Sequence, residues 1–217
     1  MKTTIKVSAA LAALVLVAGA GIAGDGPAKG MEMSAKQGLA VGAKAPSADV
    51  KMKGVDGTEV SIKDVMGSKG TLVVFTCNAC PYAKGWESRI VDLGNAYGSK
   101  GVGVIAINAN DPKVVADDGY EQMVSRAKER GMKFPYVVDG TSEVARAFGA
   151  TRTPEAFLFD AQGTLVYHGA VDDNVEAADK VSKTYLKDAL DAVVAGKDVA
   201  VKETKAVGCG IKWRNKA

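Results

Sequence analysis

The stretch TLVVFTCNACPYAKGW, residues 71–86, runs from a short apolar segment into a pair of cysteines and then into a proline. Apolar and β-branched residues dominate positions 71–76, which predicts a buried central strand. Beyond Pro81, apolar residues recur at helical spacing, at Tyr82, Trp86, Ile90 and Leu93. The sequence therefore predicts that Cys77 ends a strand and that Cys80 lies in the first turn of a helix.

The start of a helix stabilises the thiolate form of a cysteine. The first backbone N–H groups of a helix have no partner within it, and the helix dipole adds partial positive charge there. Both effects stabilise a thiolate, and Cys-X-X-Cys pairs at such sites have lowered thiol pKa values. The two-residue gap also lets the two sulfurs exchange with each other. We expect Cys77, at the exposed end, to attack a partner, and Cys80, partly buried, to resolve the mixed disulfide.

Three other roles for the pair remain open at this point. Structural zinc usually takes four ligands, whereas the chain offers this pair, the distant Cys209 and a single histidine, His168. Copper(I) needs fewer thiolates, so the pair together with His168 is an alternative metal site. A passive disulfide over so short a loop would constrain little of the unfolded chain. Redox exchange is favoured over all three, and it requires neither a metal nor an organic cofactor.

The remaining patterns indicate an α/β fold built on one central mixed sheet. Asp56-Gly57 marks a hairpin. Asp118 and Glu121 form a capping box, which predicts a helix that Gly131 ends. Further strands are predicted over 102–108 and 135–139 and on both sides of 161–164. Two more helices are predicted over 142–148 and about 176–195.

The first 23 residues have the composition of a secretory signal peptide. Lys2 and Lys6 precede an uncharged run of Ala, Leu and Val that ends in small residues. This run is short for a membrane span, so an uncleaved anchor is the less favoured alternative. Residues 24–40 are polar and Gly-rich, which predicts a flexible linker. We expect an exported chain, periplasmic or secreted, with one domain over 41–197 and no stable membrane insertion once the signal is removed.

Charge and cysteine usage narrow the choice of partners. The formal net charge is +3 and falls to +1 without the two leader lysines, and no block of like charge remains. Nucleic acid is therefore not expected as a partner. An exported chain meets an oxidising compartment, but three cysteines are too few for a disulfide-stapled scaffold. The cysteines are thus available for chemistry.

Two longer segments resemble a known family. VGAKAPSADVKMKGVDGTEVSIKDVMGSKGTLVVFTCNACP, residues 41–81, resembles the opening of the thioredoxin-like redoxins, which include the exported TlpA/ResA-type thiol–disulfide oxidoreductases and the related AhpC/TSA group. TRTPEAFLFDAQGTLVYHG, residues 151–169, resembles the later hairpin of that fold. The resemblance implies a thioredoxin-like fold with helices on both sides of the sheet, and partners that are protein thiols or disulfides.

The resemblance also assigns roles to individual residues. It implies that Cys77 is the nucleophilic cysteine and that Cys80 is the resolving one. It further implies that the Thr153-Pro154 bond is cis and that these two residues shape the groove for an extended substrate. An ordinary trans turn is the alternative for Pro154, since such bonds are usually trans.

The sequence departs from the family pattern at two points. An apolar residue, expected to be Val74, replaces the buried aspartate that helps to deprotonate the resolving cysteine of thioredoxin. Lys84 or Glu87 could take over that task, although surface charge is the favoured interpretation of both. The Pro-x-x-x-Thr-x-x-Cys motif of the peroxidases fits neither cysteine, so a thiol peroxidase of the AhpC/TSA type is an alternative and not the first choice. A copper-binding assembly factor is the other alternative.

The third cysteine, Cys209, lies in a C-terminal tail predicted over 198–217. Flanking glycines, Gly208 and Gly210, allow tight backbone, and Ile211 and Trp213 indicate that the tail docks on the domain. Our hypothesis is that Cys209 folds back and exchanges with Cys77, as a relay or an internal cap. The alternative is a half-buried, inert thiol.

Overall fold

The structure is a computed structural model that describes residues 38–215. The predicted signal peptide, residues 1–23, and most of the predicted linker lie outside the described residues. The strands are β1 Met52–Gly54, β2 Glu59–Val60, β3 Gly70–Phe75, β4 Val102–Asn108, β5 Tyr136–Val138, β6 Arg152–Thr153, β7 Glu155–Asp160, β8 Leu165–Gly169 and β9 Cys209–Gly210. The helices are α1 Pro81–Gly98, α2 Tyr120–Arg130, α3 Glu143–Phe148 and α4 Tyr185–Val194. Short 3₁₀ turns lie at Lys63–Val65, Ala116–Asp118 and Ala178–Lys180.

The central strand β3 carries the cysteine loop at its end. All six of its residues are buried, as the apolar run predicts for a strand covered on both faces. It pairs in parallel with β4 and antiparallel with β7. The full order of the main sheet is β2-β1-β5-β4-β3-β7-β8. The predicted α/β fold with a mixed sheet is therefore confirmed.

Two apolar cores cover the two faces of this sheet, because alternate strand residues point to opposite sides. One core lies between the sheet and α3 and includes Val73, Phe75, Ile107 and Phe148. The other lies between the sheet and helices α1 and α4 and includes Leu72, Val74, Trp86 and Leu190. Packing on both faces fixes the end of β3, and with it the origin of the cysteine loop.

The last helix begins later than its sequence pattern predicts. The expected span was about 176–195, but α4 starts at Tyr185. The Asp173 carboxylate accepts the N–H groups of Ser182 at 2.9 Å and Lys183 at 3.1 Å, and the Asn174 side chain accepts the N–H of Ala177 at 2.9 Å. These side-chain bonds hold the backbone in a loop in place of a first helical turn.

The C-terminal tail docks on the domain, as the sequence predicts. Thr204 lies beside β8, where its hydroxyl accepts the Ala170 N–H at 2.9 Å. Ile211 is buried in the α3-side core. Trp213 remains partly exposed and lies under the Arg146 guanidinium, 4.8 Å from its ring centroid. Between these anchors, β9 pairs antiparallel with β6 in a second, two-stranded sheet.

Within residues 38–215, none of the helices combines the length and apolar character needed to cross a bilayer.

Candidate functional site

The three cysteines form one cluster at the carboxyl end of β3. Cys77 and Cys80 pack with Ala83 of α1, and Cys209 packs against them from the tail. All three are free thiols. Cys77 is 5% exposed and Cys80 is 4% exposed, so the expectation that Cys77 lies at an exposed end is wrong. The tail packs against the pair through Cys209, and Thr153 contacts both sulfurs.

Asp118 fixes the loop between the two cysteines. Its Oδ1 accepts the N–H groups of Asn78 at 2.7 Å and Ala79 at 3.2 Å, and its Oδ2 accepts from the Asn110 side chain at 2.7 Å. Helix α2 has Gly119 as its N-cap and receives no side-chain cap. The prediction that Asp118 and Glu121 form a capping box is therefore wrong. Asp118 satisfies amides of the cysteine loop instead, and no local sequence signal connects it to that loop.

The spacer residue Asn78 is also held by specific bonds. The Tyr136 hydroxyl donates to its side-chain oxygen at 3.0 Å, and its side-chain nitrogen donates to the Asp117 carbonyl at 2.9 Å. Asn78 is 6% exposed. The spacer thus connects the cysteine loop to β5 and to the turn before α2.

Thr153 touches both sulfurs of the pair. The Thr153 hydroxyl lies 3.3 Å from Cys77 Sγ, and its carbonyl lies 3.1 Å from Cys80 Sγ. The bond from Thr153 to Pro154 is cis, which confirms that expectation. The buried carboxylate of Glu155 accepts the N–H groups of Thr151 at 2.8 Å and Arg152 at 2.9 Å, and so holds the chain that presents Thr153.

Cys209 reaches the pair through backbone and side chain. It is the register partner of Thr153 in the pairing of β9 with β6. Its N–H donates to Cys80 Sγ at 3.4 Å. The structure thus places Cys209 against Cys80, whereas the sequence hypothesis named Cys77 as its exchange partner. The Arg152 guanidinium donates to the Gly208 carbonyl at 3.3 Å.

The local hydrogen bonds lower the pKa of Cys80 to about 4. The largest cause is a hydrogen bond from the Cys77 thiol, and the Cys209 thiol and the N–H groups of Ala83 and Cys209 also donate to the Cys80 sulfur. Burial opposes this shift. Cys80 is the N-cap of α1 and precedes Pro81 at the first helical position, so its sulfur meets the unpaired helix amides. The neutral Cys80 thiol can donate to the Thr153 carbonyl, and that bond is lost on ionisation.

The same bond raises the pKa of Cys77. Its hydrogen bond to Cys80 is the largest cause, followed by burial and the negative charge of Asp118. The two sulfurs therefore titrate as a coupled pair, in which the Cys77 thiol donates to the Cys80 sulfur. The Thr153 hydroxyl and the Cys80 N–H donate to the Cys77 sulfur and oppose this rise. That Cys77 attacks first stays a prediction of the sequence.

The two residues considered as proton acceptors for Cys80 do not serve that role. Lys84 is exposed on α1. Glu87 is buried, contrary to the expected surface position, and its carboxylate is paired with Arg126 at 2.6 Å and Arg130 at 2.7 Å. Val74, at the place expected for a buried aspartate, is packed in the core. In this geometry the Cys77 thiol, donating to Cys80, is the group that stabilises the charge.

The histidine considered as a copper ligand is already engaged. His168 Nε2 is hydrogen-bonded to Glu155 Oε1 at 2.7 Å, and its ring stacks on Phe157 with centroids 4.4 Å apart. Among the residues that the structure describes, no group of three His, Cys, Asp or Glu side chains is arranged to hold a metal ion. Through Glu155, His168 supports the turn that presents Thr153.

A cysteine pair between a central strand and a helix, facing a cis-proline turn on a mixed sheet, defines the class of thioredoxin-like redox proteins. The model of the AhpC/TSA family matches residues 41–168, and the chain belongs to this family. The matched region contains the Cys77–Cys80 pair and the Thr153-Pro154 turn, and it ends before the tail. The chain is an oxidoreductase of the thioredoxin-like class.

Individual relatives agree with this classification. The thiol-disulfide oxidoreductase ResA of Geobacillus thermodenitrificans (strain NG80-2) is 29% identical over 130 residues, which is 60% of this chain and 69% of that protein. The crystal structure of an uncharacterized conserved protein from Geobacillus kaustophilus is 37% identical, with a TM-score of 0.75, over 82% of this chain and 94% of that one. The solution structure of a thioredoxin-like protein in the oxidized form, 19% identical, shares the fold with a TM-score of 0.56 over 73% of this chain and 97% of that one.

Proposed function

We propose that this chain is an exported thiol–disulfide oxidoreductase that exchanges its Cys77–Cys80 dithiol or disulfide with protein partners. One observation carries the proposal: Thr153, the residue before the cis proline, contacts both sulfurs, at 3.3 Å and 3.1 Å. This arrangement places two exchangeable thiols next to the short strand β6, which ends at Thr153. The relative ResA is a thiol-disulfide oxidoreductase, which supports the same reaction.

In this proposal, Cys80 attacks first, in place of the Cys77 that the family resemblance implies, because the Cys80 sulfur lies at the start of α1 and accepts the Cys209 N–H at 3.4 Å. The Cys80 thiolate attacks one sulfur of a partner disulfide, and the other partner sulfur leaves as a thiol after taking up a proton. The Cys77 thiol then loses its proton and attacks Cys80 Sγ, which releases the second partner sulfur. The products are a Cys77–Cys80 disulfide and a reduced partner, and the reverse sequence oxidises a partner dithiol.

The proposal of export rests on the leader. Lys2 and Lys6 followed by an uncharged small-residue run are typical of a cleaved secretory signal. An oxidising compartment supplies disulfides as substrates. Expression of the full chain in a bacterial host, followed by N-terminal sequencing of the exported form, tests this point: a mature protein beginning near residue 24 supports it, and an intact N-terminus in the cytoplasm contradicts it.

Reduction of insulin disulfides by the full chain, with dithiothreitol as the electron source, tests the reaction. We expect the wild type to accelerate the reduction, and Cys77→Ser and Cys80→Ser each to lower the accelerated rate on the order of 10³-fold, because each sulfur is needed in every cycle. Lys84→Ala, a change on the exposed face of α1, is the matched control and retains the rate. Equal rates for wild type and the Cys80→Ser variant would exclude the proposal.

Thiol peroxidase activity is the second candidate. The family match and the lowered pKa of Cys80 at a helix start favour it, whereas the burial of both sulfurs disfavours it. Stopped-flow mixing of the reduced chain with hydrogen peroxide separates the two functions. A peroxidase forms a sulfenic acid at Cys80 faster than it exchanges with insulin, and an exchange enzyme shows the opposite order.

A further inference from the structure

The tail holds Cys209 in place from both sides. On the N-terminal side, Thr204 accepts the Ala170 N–H and shares a hydrogen bond of 2.8 Å with the Tyr167 hydroxyl. On the C-terminal side, the Ile211 N–H donates to the Thr151 carbonyl at 3.1 Å, and the Ile211 side chain is 6% exposed. The segment between these anchors passes directly over the cysteine pair.

The backbone next to Cys209 is fitted to β6. A Cβ built on Gly208 would lie 2.1 Å from the Thr153 carbonyl oxygen, so only glycine allows this approach. A Cβ on Gly210, in contrast, would meet nothing within 4 Å. The close approach at Gly208 brings the Cys209 N–H to 3.4 Å from Cys80 Sγ, which places two sulfur-bearing residues side by side.

We propose that Cys209 is a third redox residue, which exchanges with Cys80 in competition with Cys77. This inference rests on the proposed function of the pair and adds a second partner for the same sulfur. In the step, the Cys209 thiolate attacks Cys80 Sγ of the Cys77–Cys80 disulfide. The Cys80–Cys209 bond forms, the Cys77–Cys80 bond breaks, and its electron pair leaves on Cys77, which takes up the proton that Cys209 lost. No external oxidant or reductant is needed.

The charges around Cys209 support this step. Burial and the hydrogen bond to Cys80 raise the pKa of Cys209 while Cys80 is a thiolate, and Lys212 and Arg152 oppose that rise. Once Cys80 is in a disulfide its negative charge is gone, so burial alone opposes the two cations in setting the pKa of Cys209. The product keeps the tail covalently closed over the pair and leaves Cys77 as a thiol.

The test uses the full-length Cys77→Ser variant and oxidised glutathione as the probe. We expect glutathione to attach to Cys80 and Cys209 to displace it, so that the Cys80–Cys209 disulfide exceeds the glutathione adduct at least about tenfold at millimolar glutathione, because adjacent groups react with effective concentrations far above millimolar. Peptide mapping after alkylation at low pH identifies the bonds. Persistent glutathione on Cys80, without the Cys80–Cys209 bond, would overturn the inference.

The Cys80→Ser variant is the matched control, since it retains Cys77 and Cys209. We expect its Cys77–Cys209 disulfide to be at least about tenfold less abundant than the Cys80–Cys209 disulfide of the first variant. Equal amounts in the two variants would show that Cys209 exchanges without preference and contradict the pairing with Cys80. The disulfides of the oxidised wild type are mapped as well, so that the test does not depend on a variant that fails to fold. We expect the Cys80–Cys209 disulfide in addition to the Cys77–Cys80 disulfide. Its absence at every ratio of reduced to oxidised glutathione would contradict the inference.

The proposed function and this inference fail in different ways. If the wild type reduces insulin and forms Cys77–Cys80 but never Cys80–Cys209, only the inference is wrong. If the wild type neither reduces insulin nor forms Cys77–Cys80, the proposed function itself is wrong.

Discussion

The cysteine loop and the C-terminal tail meet at one sulfur but are held in different ways. The loop between β3 and α1 leaves a strand buried on both faces, and its amides are bound by the buried Asp118 carboxylate. The tail has no helix from residue 198 onward in the described part, and its strand β9 is two residues long. It is held by backbone hydrogen bonds and by a few side chains such as Thr204 and Ile211.

The cysteine loop is therefore the fixed side of the site, and the C-terminal tail is its releasable side. Opening the loop would break the packing of the main sheet, whereas releasing the tail exposes two buried apolar side chains, Val199 and Ile211, and a short strand. Segments with few buried apolar contacts open at lower free energy than the core. We therefore expect the tail to open at a lower free energy than the domain unfolds. The predictions below test each side of this comparison.

The largest effect is expected on the fixed side, from Asp118→Ala. The change leaves the N–H groups of Asn78 and Ala79 buried without an acceptor, and unsatisfied buried groups cost about 1–3 kcal/mol each. We expect the free energy of unfolding to fall by about 3 kcal/mol, measured by urea denaturation of the reduced chain. Asp117→Ala is the control, because the Asp117 side chain is exposed; a similar loss in both variants would mean that the carboxylate does not hold the loop.

On the releasable side, Ile211→Ala should open the tail without unfolding the domain. Truncating a buried isoleucine costs about 2 kcal/mol or more, which corresponds to about thirtyfold faster amide exchange where the tail opens. Hydrogen exchange measured by NMR should show this acceleration at the amides of Cys209 and Ile211 but not in β3. Val207→Ala, at an exposed position, should leave exchange unchanged. Equal acceleration in β3 would contradict the separation of the two parts.

A smaller effect is expected from Gly208→Ala. Its Cβ would lie 2.1 Å from the Thr153 carbonyl oxygen, so β9 must move away from β6 and uncover Cys80. We expect iodoacetamide to alkylate Cys80 about tenfold faster in the native state, in proportion to the larger open population. Gly210→Ala is the matched control, because its Cβ meets nothing within 4 Å. Unchanged alkylation in the first variant would show that the tail does not limit access.

The last prediction concerns the pH dependence of stability. The folded-state pKa of Cys80, about 4, lies below its ordinary value of 9.0, so between these values the unfolded chain binds more protons and stability rises with pH. Above about pH 9 the stability falls as the pH rises, because the folded-state pKa values of Cys77 and Cys209 are raised. The reduced wild type should therefore gain stability relative to Cys80→Ser as the pH rises from 5 to 8, by up to about 1.4 kcal/mol per pH unit. Parallel curves in urea denaturation would contradict the lowered pKa.

The sequence predicts much of the fixed side because its signals are local. The apolar run of β3, the cysteine spacing and Pro81 lie within sixteen consecutive residues, and they correctly predict a strand, a loop and a helix. The mixed sheet follows from the alternation of strand and helix patterns. The cis bond at Thr153-Pro154 follows from the family resemblance and is confirmed.

The charge distribution of the site could not be predicted in the same way. The tail amide that donates to Cys80 lies 129 positions away along the chain, and Asp118 lies 40 positions from the Asn78 amide that it accepts. In the sequence, Asp118 fits a helix cap equally well. Both Cys209 and Asp118 act on the pKa values of the cysteine pair from distant points of the chain, so the order of the cysteines alone does not give their relative acidity.

NMR titration of the cysteine Cβ chemical shifts in the reduced full chain tests the central claim most directly, since it reports ionisation without requiring access to the sulfurs. The account predicts that Cys80 ionises well below neutral pH, while Cys77 and Cys209 remain protonated beyond the range of a free cysteine. A titration in which Cys77 ionises first, or in which Cys80 ionises near pH 8.5 as free cysteine does, would contradict it.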